Sequence, residues 1–553
     1  MHLSKVVKGL GITALAALAL AGCGKKNDSG GSATAKNDAK VATSGFPIVK
    51  SKMSMTLMAP SMGEAEWKDM QVLQDYAKKT GISLKYNTPP NSDFGTKLNL
   101  AFASQDLPDI IYAAGTANLT PANEVTYGEQ GQLVALEKLI PKYAPNLNKL
   151  MKEDPSIAKS ITTPDGHIYS LPMLSRGSTS AWYIGPLWYN GEWLKNLGVT
   201  ELPKTADEFY DLLKRFKTED PNKNGKADEI PLSDVKLDAS RWWLMSIFGL
   251  LTNDVQNNGD KVFYTPISNQ YKEYLTYMHK LYEEGLLDKD TFSQSDDQKK
   301  AKGKADRLGV FQDYYSLFTT GRSQSEAMSD PMWQPLTSSV SKKAVVPGNP
   351  RISRGNFAIT KNNPSPAAAL RWVDYFYSPI GAAYLASGPE GLLWKYETNK
   401  AGEKVRVYAD GINSENAEEK RSKITPDYGL TVPKLSGSDA KGEAEYKYAI
   451  RPSADASPID DFTKFINSET AKKIDPYATV PFPLIYLTKA EQDSVSATAN
   501  DLKTFVTQSE AKFITGVTPL SDWDKYVKTI EGMNVKQYVK VYQTAYDRWK
   551  SAK

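Results

Sequence analysis

The chain contains a single cysteine, and its position restricts the possible folds more than any other residue. Cys23 closes Leu20-Ala21-Gly22-Cys23, behind Lys5, Lys8 and an apolar run from Leu10 to Ala21. That run is shorter than the roughly 20 apolar residues needed to cross a bilayer, and small residues precede the cleavage point. The pattern reads as a bacterial lipobox. Residues 1–22 are then a lipoprotein signal peptide, and Cys23 becomes the mature N-terminus with a diacylglyceryl thioether. Two acyl chains anchor stably where one is marginal. The secreted remainder has no thiol, hence no disulfide and no cysteine metal site. Apolar burial must hold it, and its length allows two or more lobes with cores of their own.

Charge narrows the partners. Without Lys5 and Lys8, 66 basic residues face 64 acidic ones, a net charge of +2. No basic stripe is present, which argues against nucleic acid. No later apolar run reaches membrane-spanning length, so the lipid is the expected anchor, on the extracytoplasmic face of the cell membrane. Gly24 to Gly45 is Lys, Asn, Asp, Ser, Gly, Ala and Thr with almost nothing to bury, so residues 23–50 read as a lipidated flexible tether.

The body opens as a βαβ pattern. Met53–Met58 reads as a strand and Glu64–Thr80 as a helix with Trp67, Met70, Leu73 and Ala77 on one face, ended by Gly81. Ile82–Tyr86, the helix Phe94–Ser104 and the apolar stretch ending at Tyr112 continue it. Strands alternating with helices imply an α/β fold with a mostly parallel sheet covered on both faces. From Ser178 a second region follows: a strand over Trp182–Tyr189, a helix announced by Thr205-Ala206-Asp207-Glu208, further helices at Ser240–Leu251 and Asn269–Glu284, and a short strand Arg307–Phe311. Asn356–Thr360 reads as another strand, and the tail from Thr488 as largely helical.

Catalytic chemistry is poorly represented. His2 leaves with the signal, so only His167 and His279 remain, and no nucleophile-elbow, zinc-protease, Walker or dinucleotide motif occurs. The adjacent acids Asp296-Asp297, Glu418-Glu419 and Asp460-Asp461 sit in polar settings that suit solvation.

One motif is sharp. Asp220, Asn222 and Asn224 occupy positions one, three and five of a calcium loop, Gly225 the turning position six, Lys226 offers a carbonyl at seven, and Asp228 takes nine. Position twelve is Pro231, not the bidentate glutamate of an EF-hand, and Glu229 is the nearby replacement. No amphipathic helix follows, so a fixed structural Ca2+ is expected rather than a sensor. Competing with this is a plain Asn/Asp/Gly turn.

Aromatic composition is skewed, with 30 Tyr and 11 Trp against 17 Phe. Tyr and Trp join a flat apolar face to a polar handle, which suits sugar rings. Trp242-Trp243 is notable, because adjacent helical residues point about 100° apart and cannot both face one narrow core.

The lipobox, the tether, Leu107-Pro108-Asp109-Ile110, the calcium-like loop, Gly388-Pro389-Glu390-Gly391 and Phe513-Ile514-Thr515-Gly516 before Trp523 occur in this order. In that order they resemble the extracellular solute-binding proteins of family 1, in particular large lipoproteins serving carbohydrate ABC importers. The resemblance implies a two-lobed, periplasmic-binding-protein-like fold with a hinge of crossing strands. It also implies a structural calcium on the loop and a cleft near Glu390. On it rest the expected lobes, 51–178 plus 355–435 and 179–354 plus 436–553, with crossings in Tyr169–Trp182 and Asn356–Thr360. The expected protein is a monomeric receptor that captures an oligosaccharide between its lobes and delivers it to ABC permease subunits, without catalysis. A secreted hydrolase or lyase is the competing class, and a surface adhesin a third. Trp67, Trp188, Trp242, Trp243, Asp313, Tyr314, Glu390 and Trp394 are expected to line the cleft. Trp67 and Asp313-Tyr314 follow strands, where ligands of parallel sheets gather, and Trp394 follows Gly391.

Overall fold

The computed structural model describes residues 37–38, 40–437 and 447–552. The signal peptide, Cys23 and the tether up to residue 36 lie outside these. No helix among the described residues is long and apolar enough to cross a membrane.

The first lobe is built on a six-stranded sheet in the order Leu435–Ser436, Ser170–Ser175, Ile352–Ile359, Ile110–Tyr112, Met53–Met58, Ile82–Asn87. Met53–Met58 runs parallel to Ile82–Asn87 and Ile110–Tyr112, whereas Ile352–Ile359 is antiparallel to both of its neighbours. Ile110-Ile111-Tyr112 is continuously apolar because both faces of this central strand are covered. Its alternating side chains serve two cores: Ile110 and Tyr112 pack with the main core, while Ile111 packs with Phe94, Leu98 and Phe102 of the helix Asn91–Ser104 on the other face.

The second lobe carries a three-stranded sheet, Leu187–Tyr189, Leu308–Gln312 and Ile230–Ser233, with the middle strand antiparallel to the first and parallel to the last. Helices surround it. Ala206–Thr218 starts where the Thr205 side chain accepts the Glu208 amide, and it buries Phe209, Leu212, Leu213 and Phe216. Lys489–Ile514 starts at a full capping box of Thr488 and Glu491.

Each lobe has its own main core. One draws on residues 41–174 and 352–435, the other on residues 181–346 and 462–546. The chain passes between them along segments that hydrogen-bond side by side. Ser175 N–H donates to the Arg351 carbonyl at 2.9 Å, Arg176 N–H to that of Ser436 at 2.8 Å, and Asn349 N–H to that of Ala181 at 3.1 Å. Asn356–Thr360 is not a crossing. It lies in and just after the strand Ile352–Ile359, and the passage between cores is upstream, between Val346 and Ile352.

Three local expectations change. The flexible tether does not extend to residue 50: Val41, Ile48 and Val49 are buried in the first-lobe core. The apparent polar composition hid four apolar residues, Val41, Phe46, Ile48 and Val49. Gly81 shows how closely this segment packs, since its φ is +80° and a Cβ there would lie 2.6 Å from the Val49 carbonyl oxygen. The helix expected from Glu64 begins only at Gln71, after a separate turn Trp67–Asp69. The strand expected over Trp182–Tyr189 shortens to Leu187–Tyr189, preceded by the turn Ser178–Ala181.

Candidate ligand-binding site

A cavity of about 590 Å³ opens where the crossing segments meet the second lobe. Ser175, Gly177 and Ser436 line it from the crossings, and Trp182, Tyr183 and Tyr314 from the second lobe. A neighbouring hollow of about 310 Å³ shares Gly177 and Thr179 and runs onto Tyr315, Phe318 and Phe462. Both fall in the size range of small-ligand sites.

The aromatic wall is held by specific bonds. The Trp182 indole N–H donates to Thr470 Oγ1 at 3.1 Å, and Tyr314 meets its ring edge-on with centroids 5.2 Å apart. Tyr183 and Trp242 form a T-shaped pair at 5.6 Å. Tyr183 is 40% exposed, Tyr314 46% and Phe318 47%. Tyr183 and Tyr314 on this wall, with Phe318 on the neighbouring hollow, make apolar surfaces rimmed by Ser and Thr hydroxyls, an arrangement that suits an amphipathic ligand. Burial holds the Tyr183 hydroxyl above its ordinary pKa.

Gly185 fixes the loop that carries Trp182 and Tyr183. Its carbonyl accepts from Trp243 Nε1 and Gln312 Nε2, each at 3.0 Å. A Cβ at this position would lie 2.8 Å from the Asp313 carbonyl oxygen, so the two segments can approach this closely only at glycine.

The expected site residues therefore divide. Tyr314 stands on the cavity wall, and Trp242 is half-buried behind Tyr183. Asp313 supports the wall instead of facing it. Its carboxylate accepts the Tyr314 amide and the Thr319 hydroxyl, each at 2.7 Å, and its carbonyl accepts the Trp188 indole at 3.1 Å. Trp188 and Trp243 are core residues, because their faces pack inside the second lobe and their indole N–H groups are already satisfied by carbonyls. Trp67 is core in the first lobe, edge-on to Tyr112 at 5.8 Å. Trp394 is buried beneath the Arg406 guanidinium, 3.9 Å from its ring, and donates to the Gly388 carbonyl. Glu390 is exposed in the same first-lobe region and accepts the Tyr396 amide at 3.2 Å, away from the cavity lining. Sequence reasoning missed Trp182 and Tyr183 on the wall and Phe318 in the neighbouring hollow. The signal available for the first two was an adjacent aromatic pair at the end of an expected crossing.

The Asp220–Glu229 loop lies at the opposite end of the second-lobe sheet. Asn222 Nδ2 donates to the Asp306 carbonyl at 3.2 Å and Arg307 Nε to that of Asp228 at 3.0 Å, just before the strand Leu308–Gln312. Tyr314 follows the other end of that strand, about 17 Å away at 3.3 Å per residue. Asp220 and Asn222 carboxyl and amide oxygens turn inward to accept the Asn224 amide, both at 3.1 Å. Asp228 is held below its ordinary pKa by the Asn224 amide and by Arg307. Glu229 is pushed up, by burial first and then by the Asp220 and Asp228 charges, and its Oε1 is buried without a hydrogen-bond partner. An orphaned buried carboxylate oxygen beside two further carboxylates fits a hard cation. Among the described residues, no group of three or more His, Cys, Asp or Glu is gathered to hold a metal alone, so the donor set depends on amide and carbonyl oxygens as well. Position twelve, Pro231, lies in the strand Ile230–Ser233, which explains why no second helix follows.

The family model for bacterial extracellular solute-binding proteins matches residues 59–383, more than half of the chain. The chain belongs to that family. These solute-binding proteins include a similar relative, the fructooligosaccharide ABC transporter substrate-binding protein FusA of Streptococcus pneumoniae, 28% identical over 97% of this chain and 96% of the relative. The structure of FusA in complex with kestose superposes with a TM-score of 0.68 at 26% identity, covering 90% of this chain and all of that one. FusA has also been solved as an EF-hand mutant in complex with fructo-nystose, with the same score and coverage. Lipoprotein LipO of Bacillus subtilis is 28% identical over 53% of each chain. The family is one of transporter binding proteins, which is the solute-binding role and two-lobed fold expected from the sequence.

Proposed function

We propose that this solute-binding protein is a lipid-anchored receptor that takes up an oligosaccharide between its lobes and hands it to ABC permease subunits in the same membrane. The observation that carries the reading is the convergence of Tyr183, Tyr314 and Trp242 at the hydrogen-bonded crossings, where a change in lobe angle alters the cavity directly. The relation to FusA supports an oligosaccharide as the solute class. Closure is a population shift toward the state in which ligand touches both lobes.

The deciding experiment is calorimetric titration with a panel of mono- and oligosaccharides. An oligosaccharide should bind, and Tyr314→Ala should weaken it by about 0.5–1.5 kcal/mol, the scale of one aromatic face contact. Absence of binding to every sugar would overturn the reading. The enzyme class has little support, since Asp313 is committed to structural hydrogen bonds and Glu390 lies on the other lobe. Incubation with the bound oligosaccharide should leave it intact by chromatography.

The same reading places a structural calcium on Asp220, Asn222, Asn224, the Lys226 carbonyl, Asp228 and Glu229. Its charge would neutralise the carboxylates that converge there. It also places a lipid on Cys23: Cys23→Ser should move the protein from the membrane fraction to the medium, and retention after a high-salt wash would show a different anchor.

A further inference from the structure

The segment just after the tether is bound to one lobe only. Asn37 Nδ2 donates to the Pro364 carbonyl at 3.0 Å, and the Tyr143 hydroxyl donates to the Asp38 carbonyl at 3.3 Å. The Asp38 carboxylate accepts the Ser365 hydroxyl and, at 3.2 Å, the Ala367 amide, thereby reinforcing the Ser365 cap of the helix Pro366–Asp374. Phe46 sits edge-on to Tyr76 at 6.0 Å and to Tyr375 at 5.2 Å, and Arg371 Nη2 donates to the Gly45 carbonyl at 3.3 Å. Ile48 and Val49 amides both donate to the Thr80 carbonyl, at 2.9 and 3.2 Å. All these partners belong to the first lobe. Asn37 and Asp38, the first described residues, are therefore held at the corner formed by Tyr143 and Pro364.

We propose that residues 37–49 are a strap that fixes the membrane anchor to this corner, so that the first lobe faces the lipid surface and the second lobe is the one that swings. The inference rests on the lipid anchor of the proposed function. The chain from Cys23 to Lys36 spans at most about 50 Å even when fully extended, whereas a compact body of this length is about 60 Å across. The corner is thus confined to within about 50 Å of the bilayer, a limit that does not apply to the far side of the second lobe. Charge agrees with this. Lys40, Lys138 and Lys142 are exposed there, with Lys142 Nζ 4.9 Å from the Tyr143 ring. The nearby Glu137 is paired with His167. Such a corner complements an anionic leaflet. A strap of this kind also leaves the hinge free, because none of the bonds made by its described residues reaches the second lobe.

The test uses the lipidated full chain in phosphatidylglycerol/phosphatidylcholine vesicles that contain an acceptor-labelled lipid. Cys23 is consumed by its thioether and the chain has no other cysteine, so Lys149→Cys in the first lobe and Lys525→Cys in the second each give one donor position. Energy transfer to the bilayer should be at least twofold stronger from position 149 than from position 525. The double change Asp38→Ala with Phe46→Ala should shrink that difference while sugar affinity stays the same. Equal or reversed transfer in the parent would overturn the strap. A chain that fails to sediment with vesicles would instead overturn the lipid anchor and the inference with it.

Discussion

Trp243→Ala should destabilise the protein by about 3–5 kcal/mol, the range for removing a fully buried large aromatic side chain. The ring is completely excluded from solvent, and its N–H is one of two donors to the Gly185 carbonyl. Alanine would leave a cavity in the second-lobe core and loosen the loop carrying Trp182 and Tyr183. In calorimetry the transition should fall on the order of 10 °C, given about 2–4 °C per kcal/mol for a body of 150–250 residues. Trp188→Ala should act likewise, because its indole ties the strand Leu187–Tyr189 to Asp313. Tyr314→Ala is the contrast. Its ring is nearly half exposed, so stability should change by no more than about 0.5 kcal/mol, while sugar affinity falls. If Trp243→Ala left the transition in place and only weakened sugar binding, the core assignment would be wrong.

This contrast shows what the sequence made legible. Periodicity and capping identify elements well. Thr205 and Thr488 start helices where their spacing to Glu208 and Glu491 says they should, and Gly285, with φ of +68°, terminates the helix Asn269–Glu283. These signals depend on a few neighbouring residues. Whether a tryptophan packs inside or faces a cleft depends on the third dimension. Trp242 and Trp243 illustrate the limit. Their 100° separation correctly implies different environments, but the direction of the core was needed to decide which one is buried. Trp67 follows a strand, where parallel sheets gather ligands, yet Tyr86 and Tyr112 close over it. The strap was hidden for a different reason. Its four apolar anchors are diluted by polar residues, and its affinity comes from bonds to positions some 100 to 330 residues away, such as Tyr143 and Ala367.

Calcium removal should have the other large effect. A ligand that binds only the native state stabilises by about 4 kcal/mol when present at a thousand times its dissociation constant. A micromolar site in millimolar calcium reaches that level. Chelation should therefore lower the thermal transition on the order of 10 °C, and Asp220→Ala should abolish the response. The loop's place in the sheet explains why stability, not sugar recognition, should change. Its bonds reach Asp306 and Arg307 at the start of the strand Leu308–Gln312, and the loop leads straight into Ile230–Ser233. Without a cation, the Asp220 and Asp228 charges act on Glu229, which retains an unpaired buried oxygen. That repulsion strains the edge where the parallel pair of strands begins. The aromatic wall sits beyond the opposite end of the same strand, so the affinity of the folded protein for its oligosaccharide should be the same with calcium and with chelator. Metal analysis should give one calcium per chain. A purified sample without calcium, with a transition indifferent to chelator, would reduce the loop to a polar turn.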